Sequence, residues 1–168
     1  MTDPRQNVTV LDTSVLSNFA HVEQMELLLD LPRIVTVDAV YAELERGIET
    51  HPYLRNALDT LDDDIPVVTP TQPARELETD LLETLDPGEA QALAVAEISA
   101  GTIITDDGDA RATAKRRGVS VTGSIGLLVR FVERGRISAQ TADEYLKRWV
   151  DEAGFHSPAR DFDVFLED

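Results

Sequence analysis

The sequence contains no cysteine, which excludes disulfide bonds and thiolate metal sites. A chain without disulfides suits a reducing compartment, so we expect a cytoplasmic protein. No apolar run approaches the ~18 residues that a membrane-spanning helix needs. The N-terminal residues 1–5 do not have the composition of a signal peptide. These absences predict a soluble protein with no membrane partner.

Lysine is also scarce. Two of the 15 basic residues are lysines, Lys115 and Lys147, whereas 32 residues are acidic, and the formal net charge is -17. An acidic protein that avoids nucleic acid would explain the charge but not the selective loss of lysine. We therefore interpret the composition as adaptation to high salt. Because the Debye length falls to about 3 Å at roughly 1 M salt, this charge does not argue against an RNA substrate.

The pattern of apolar residues indicates one α/β domain. With 168 residues, 42% of them hydrophobic, the chain is long enough for a substantial core. Short β-branched and aliphatic runs alternate with helical spacing, which predicts a three-layer α/β/α domain with a central, mostly parallel sheet. The predicted strands lie at residues 8–11, 33–37, 65–68, 102–105 and 119–122. We expect the domain to span residues 1–137, with a helical extension, residues 138–168, packed on it.

Carboxylates directly follow two of these strands. Asp12 follows the first strand, and Asp106, Asp107 and Asp109 follow the strand at residues 102–105. Because the carboxyl ends of parallel strands meet at one edge of the sheet, these side chains should lie close together. In a chain so rich in acids, any single one of them is also explained as a helix cap or a solvated surface residue.

Two more acids, Glu43 and Glu89, lie on predicted helices near the same edge. A pair of carboxylates ~5 Å apart costs about 3 kcal/mol at an effective dielectric near 20, so a cluster of four needs a cation or protonation. Mg²⁺ or Mn²⁺, which prefers oxygen ligands, would remove that cost. Such a site supports the attack of metal-activated water on a phosphodiester.

The residues around these acids form four motifs in a fixed order. They are Leu11-Asp12-Thr13-Ser14, Val40-Tyr41-Ala42-Glu43-Leu44, Gly88-Glu89-Ala90 and Thr105-Asp106-Asp107-Gly108-Asp109. Over nearly the whole chain, this order resembles the PIN domain, the ribonuclease fold of VapC-type toxins. Val121-Thr122-Gly123-Ser124-Ile125-Gly126 and Ala153-Gly154-Phe155-His156 resemble segments of one prokaryotic PIN subfamily. At the third acid position this chain has Glu89, where many members of the family have Asp. Ala110 occupies a position that is often aromatic in the family.

The resemblance implies a divalent-metal-dependent endoribonuclease. The resemblance extends to the toxins of toxin–antitoxin pairs, which implies an antitoxin partner and a homodimeric state. The implied catalytic residues are Asp12, Glu43, Glu89 and Asp107, and the implied metal ligands are Asp12, Asp107 and Glu89. Ser14 and Thr105 would orient these carboxylates, with Asp106 and Asp109 as reserve candidates. The alternative is a catalytically inert PIN-like scaffold that binds RNA or protein.

Basic residues cluster late in the chain, where seven of the 15 lie between residues 111 and 136. Arg111, Lys115, Arg116 and Arg117 follow the fourth motif and are candidates for contacts to an RNA backbone, because the arginine fork grips phosphate bidentately. The alternative interpretation is that these residues pair with acids or cap helix ends.

Other chemistry fits less well. An aspartyl-nucleophile phosphatase usually has a second acid two residues after the first, and Ser14 occupies that place here. The three histidines, His21, His51 and His156, share no metal-ligand spacing, so we expect surface or packing roles for them. We expect Trp149 to lie in the core or in a subunit contact.

Overall fold

The computed structural model describes residues 6–166 and contains one parallel sheet. Its strands are β1 (Thr9–Leu11), β2 (Ile34–Val37), β3 (Val67–Val68), β4 (Thr102–Ile104) and β5 (Ser120–Thr122). Their order is β3-β2-β1-β4-β5, and each neighbouring pair is parallel. The predicted parallel sheet is confirmed. The strand after Pro66 lies at an edge, where a missing backbone donor is tolerated.

Helices connect the strands and cover the sheet, as the predicted α/β class requires. They are α1 (Thr13–His21), α2 (Met25–Leu28), α3 (Asp38–Gly47), α4 (Leu54–Asp63), α5 (Gln72–Leu81), α6 (Pro87–Ile98), α7 (Gly108–Arg116), α8 (Ser124–Glu133) and α9 (Ala139–Ala153), with a 3-10 turn at Phe162–Phe165. None of the helices within residues 6–166 is long and apolar enough to cross a membrane.

The core lies around the central strands. Val10, Leu11, Val37 and Ile103 are fully buried, as expected for parallel strands covered on both faces. Helix α9 packs against α1 and α8. Trp149 on α9 is fully buried, and its indole N–H donates to a backbone oxygen of α1 at 2.8 Å. Trp149 is therefore a core residue, one of its two predicted roles.

The start of α3 depends on a tertiary contact. Asp38, the acid that follows β2, is the first residue of α3, and the cap position falls at Val37. The side chain of Gln91 accepts from the backbone N–H of Ala39 at 2.8 Å, so a tertiary contact satisfies an amide that a cap would otherwise serve. The predicted helical extension consists, within the described residues, of one long helix, α9, and the 3-10 turn. Residues 1–5 and 167–168, which the predicted domain bounds include, lie outside the described residues.

Candidate functional site

Asp12 lies at the junction between β1 and α1. Its Oδ1 accepts from the backbone N–H of Thr13 at 2.8 Å, and its Oδ2 accepts from the hydroxyl of Thr105 at 2.6 Å. The side chain is only 2% exposed. Burial raises the pKa of Asp12 to about 6; the two hydrogen bonds lower it, and the charges of Glu43 and Asp107 raise it further. Asp12 is therefore firmly held, and ionising it carries an energetic cost.

Two hydroxyls join the ends of β1 and β4. Thr105, which donates to Asp12, also accepts from the backbone N–H of Asp107 at 3.2 Å. Ser14 accepts from the backbone N–H of Asp106 at 3.0 Å, and its hydroxyl lies 3.5 Å from that of Thr105. Thr105 thus has the contact predicted for it, a hydrogen bond to a carboxylate, whereas Ser14 contacts the backbone that carries the acids.

The adjacent residues Asp106 and Asp107 have different environments. Asp106 accepts from the backbone N–H of Ser124 at 2.7 Å, from the Ser124 hydroxyl and from the Asn18 side chain at 3.0 Å. These contacts anchor the start of α8. Asp107 caps α7, where its Oδ2 accepts from the backbone N–H of Ala110 at 2.8 Å. The Asp107 carboxylate has fewer contacts to give up, which agrees with the preference for Asp107 over Asp106 as the catalytic acid.

Glu89 lies in the first turn of α6 and is partly buried. Its Oε2 accepts from the backbone N–H of Asp86 at 3.4 Å, and the two residues form a capping box. Burial raises the pKa of Glu89 to about 8, with further increases from the charges of Asp107, Asp12 and Asp86. Glu89 is therefore mostly protonated at neutral pH without a cation nearby.

Glu43 lies on α3, and its side chain is exposed on the whole. Partial desolvation of the carboxyl raises its pKa, and the neighbouring Thr13 hydroxyl lowers it. The start of α6 comes very close: a Cβ added at Gly88 would lie 2.9 Å from Glu43 Oε1. Glycine at this position therefore lets α6 approach α3 and bring Glu89 to the same region.

The implied catalytic acids line one cavity of about 830 Å³ at the carboxyl end of the sheet: Asp12, Glu43, Glu89 and Asp107, with Asp106 beside them. The donors are all oxygens, which fits a hard divalent cation. Thr13 also lines the cavity, and its hydroxyl oxygen is buried without a hydrogen-bond partner among the described residues. Within residues 6–166, however, no three acidic or histidine side chains are close enough together to form a ready-made metal site. The ligand chemistry fits a cation, but the acids are spread along the cavity.

Of the four candidate RNA-binding residues, Arg111 is the one that lines the cavity. Its guanidinium donates to the backbone oxygen of Thr105 at 3.1 Å. Lys115, Arg116 and Arg117 lie four to six residues further along the chain, roughly 6–9 Å from Arg111 at a rise of 1.5 Å per residue, and they are not among the lining residues of the cavity. Arg117 pairs with Glu97 at 2.6 Å, which is the alternative role weighed for these residues.

Several residues of this region were not expected from the sequence. Phe155, His156 and Phe165, which follow α9, line the same cavity as the acids. A surface or packing role was expected for His156, although the C-terminal segment of the subfamily resemblance included it. Asp109, a reserve candidate, is exposed in the first turn of α7 and is not part of the cavity lining described here.

Comparison with known proteins agrees with this architecture. A family model described as a PIN domain matches residues 8–167, so the chain belongs to the PIN-domain family, as its motifs indicated. Within that family, the matching group is DUF3368. A search of curated proteins found no significant match.

Solved structures show the same fold. A member of the VapBC family of toxin–antitoxin systems, VapBC-5 from Mycobacterium tuberculosis, is 22% identical with a TM-score of 0.52, over 70% of this chain and 98% of that one. PAE2754 from Pyrobaculum aerophilum is 18% identical with a TM-score of 0.55, over 75% of this chain and 97% of that one. The predicted fold class is thus confirmed, and at these identities the similarity concerns the fold alone.

Proposed function

We propose that this PIN-domain protein is a divalent-metal-dependent endoribonuclease that hydrolyses RNA phosphodiester bonds. The observation that supports this proposal is the convergence of Asp12, Glu43, Glu89 and Asp107, from four separate segments, on one cavity. Burial and mutual repulsion raise the pKa of Asp12 to about 6 and that of Glu89 to about 8. A bound cation would relieve this repulsion.

Asp12, Asp107 and Glu89 are the side chains that would hold Mg²⁺ or Mn²⁺. When bound, the ion supplies an activated water and stabilises the leaving oxygen. Thr105 and the N–H of Thr13 fix both oxygens of Asp12, so this carboxylate is oriented before substrate arrives. Glu43, at the exposed side of the cavity, would orient the attacking water.

A role as the toxin of a toxin–antitoxin pair is the finer part of the proposal. It rests on the PIN family and on a fold shared with a VapBC family member, and fold alone does not determine function. An antitoxin partner, a homodimeric state and the cytoplasmic location indicated by the cysteine-free sequence are parts of the same proposal.

The test is cleavage of single-stranded and structured RNA by the purified full-length chain, with Mn²⁺ and molar KCl. We expect Asp12→Asn to lower the cleavage rate roughly 100-fold or more, because loss of even an outer partner of a metal site typically costs 10–100-fold. Asp38→Asn is the matched control. Asp38 also follows a strand of the sheet, but it is exposed and outside the cavity lining.

Equal cleavage by the parent and Asp12→Asn would contradict the proposal. RNA binding by the parent without any cleavage would favour the alternative, an inert scaffold. One observation supports that alternative: among the side chains of residues 6–166, no three acids or histidines form a ready-made metal site. The cleavage readout separates the two functions, and molar salt is used because we interpret the acidic, lysine-poor composition as adaptation to high salt.

A further inference from the structure

The acidic cavity has a second set of lining residues that the proposed chemistry does not use. They belong to the C-terminal tail, which we define as residues 154–166, after α9. Phe155, His156, Pro158 and Phe165 of this tail line the cavity together with the four acids. One cavity therefore combines carboxylates at strand ends with aromatic rings and an imidazole from a distant part of the chain.

The tail is held in place by contacts with α9. The left-handed backbone of Gly154 ends the helix at φ 70°, and the N–H of Phe155 donates to the backbone oxygen of Trp149 at 3.0 Å. Further along, Phe162 is fully buried, and its N–H donates to the Asp143 side chain at 2.9 Å. These contacts fix the path of the tail without using the side chain of His156.

His156 differs from the other basic residue on the cavity. Arg111 already donates to the backbone oxygen of Thr105. His156 is exposed, and none of the side chains in residues 6–166 hydrogen-bonds to its ring. His21, by contrast, bonds to Glu152 at 2.9 Å and packs edge-on against Tyr53. His156 is thus a residue of the cavity lining whose imidazole N–H is not used in a hydrogen bond within residues 6–166.

The two tail phenylalanines, Phe155 and Phe165, add aromatic surface to the same cavity. Phe165 is partly buried, and its ring centroid lies 6.2 Å from that of Phe162. Phe155 is also partly buried, with its ring centroid 5.7 Å from that of Trp149. Each ring packs against a fully buried aromatic residue, and both phenylalanines line the cavity. An aromatic ring and a hydrogen-bond donor in one cavity suit an unstacked base and its phosphate.

We propose that the C-terminal tail is the RNA-binding wall of this cavity, with His156 donating to a substrate phosphate and Phe165 stacking on a base. This inference rests on the proposed function, since it assigns the substrate contacts of the same site. A phosphodiester that enters a cavity lined by carboxylates is repelled, and it needs donors nearby to bind. His156 supplies such a donor, and base stacking adds affinity that does not depend on sequence.

The test measures binding and cleavage separately with the full-length protein in molar KCl and Mn²⁺. The probe is a fluorescently labelled single-stranded RNA of mixed sequence, bound to proteins that also carry Asp12→Asn so that it stays intact. We expect His156→Ala to raise Kd about 10-fold, and His156→Gln, which keeps an N–H donor, to recover most of that loss. In the active protein, His156→Ala should raise KM by a similar factor and change kcat less than about 2-fold.

Phe165→Leu tests the stacking contact, because it keeps an apolar side chain but removes the aromatic face. We expect it to raise Kd about 5-fold or more, since stacking on an aromatic residue contributes at least this factor per base. Val164→Ala and His51→Ala are the matched controls: both residues are exposed, outside the cavity lining, and should leave Kd unchanged. Thermal unfolding of each variant shows whether the tail has kept its structure.

The outcomes separate this proposal from the proposed nuclease function. If His156→Ala and Phe165→Leu bind and cleave RNA like the parent, while Asp12→Asn abolishes cleavage, the tail proposal is wrong and the nuclease stands. If the parent binds RNA without cutting it and the tail variants weaken that binding, the tail proposal stands and the nuclease function is wrong. A parent that binds no RNA contradicts both.

Discussion

The two parts of the cavity are built in different ways. Asp12 and Asp107 extend from the ends of central strands, and the hydroxyl of Thr105 between them is fully buried. The tail, residues 154–166, is a surface segment that depends on one buried ring, Phe162, and on exposed ion pairs such as Arg160–Asp151. Asp12 and Asp107 are therefore attached directly to strands of the core, whereas the tail can vary without the sheet being rebuilt. The proposed catalytic acids Asp12 and Asp107 are thus held by the sheet, whereas the proposed RNA-binding tail is held by its contacts with α9.

The largest expected effect is on RNA cleavage, and it should distinguish the neighbouring residues Asp107 and Asp106. We expect Asp107→Asn to lower RNA cleavage roughly 100-fold with little change in stability, because an asparagine oxygen can still cap α7. Asp106→Asn should lower the free energy of unfolding by about 1–3 kcal/mol, because its amide N–H₂ cannot accept from Ser124 and Asn18.

Cleavage rates and urea unfolding of both variants in molar KCl provide the measurement. If Asp106→Asn removed cleavage at unchanged stability while Asp107→Asn had no effect, the roles assigned to the two aspartates would be reversed.

The next effect concerns the tail anchor. Phe162→Ala removes a fully buried ring and should lower the free energy of unfolding by about 3 kcal/mol, as large-to-small substitutions in cores do. Val164→Ala in the same 3-10 turn is the control, since Val164 is 63% exposed and should change stability by less than about 0.5 kcal/mol. Equal unfolding curves for Phe162→Ala and the parent would show that the tail is not coupled to the core.

The third effect is the pH dependence of the metal-free protein. The pKa of Asp12 is about 6 in the folded protein and 3.8 ordinarily, so the folded state binds this proton more tightly. Stability is therefore highest below pH 3.8 for this group and falls by about 3 kcal/mol as pH rises through 6. The pKa of Glu89, about 8, extends the loss to more alkaline pH.

Urea unfolding between pH 5 and pH 8, in molar KCl with EDTA, measures this slope. Asp12→Asn should reduce the slope and be more stable than the parent at pH 7, whereas the exposed control Asp38→Asn should keep the parent's slope. A slope that Asp12→Asn leaves unchanged would show that burial does not penalise this carboxylate.

The sequence predicts best what is decided locally. β1 and β4 are apolar runs that end in acids, so the placement of Asp12 and Asp107 at one sheet edge follows from strand pattern and parallel topology. The different role of Asp106 was not accessible, because its partners Ser124 and Asn18 lie 18 and 88 residues away in the chain. That the tail lines the cavity was not predicted for a similar reason. After Gly154 its path depends on tertiary contacts with α9, which no periodic sequence pattern indicates.

The capping box at the start of α6 gives Glu89 two competing partners. Its carboxylate accepts from the Asp86 N–H across a long 3.4 Å bond, and the same side chain lines the cavity. A carboxylate drawn towards a cation would release that amide, and the first turn of α6 would then fray. Hydrogen exchange of the Asp86 backbone N–H should therefore be faster when a cation occupies the cavity. This exchange rate can be measured without substrate or product.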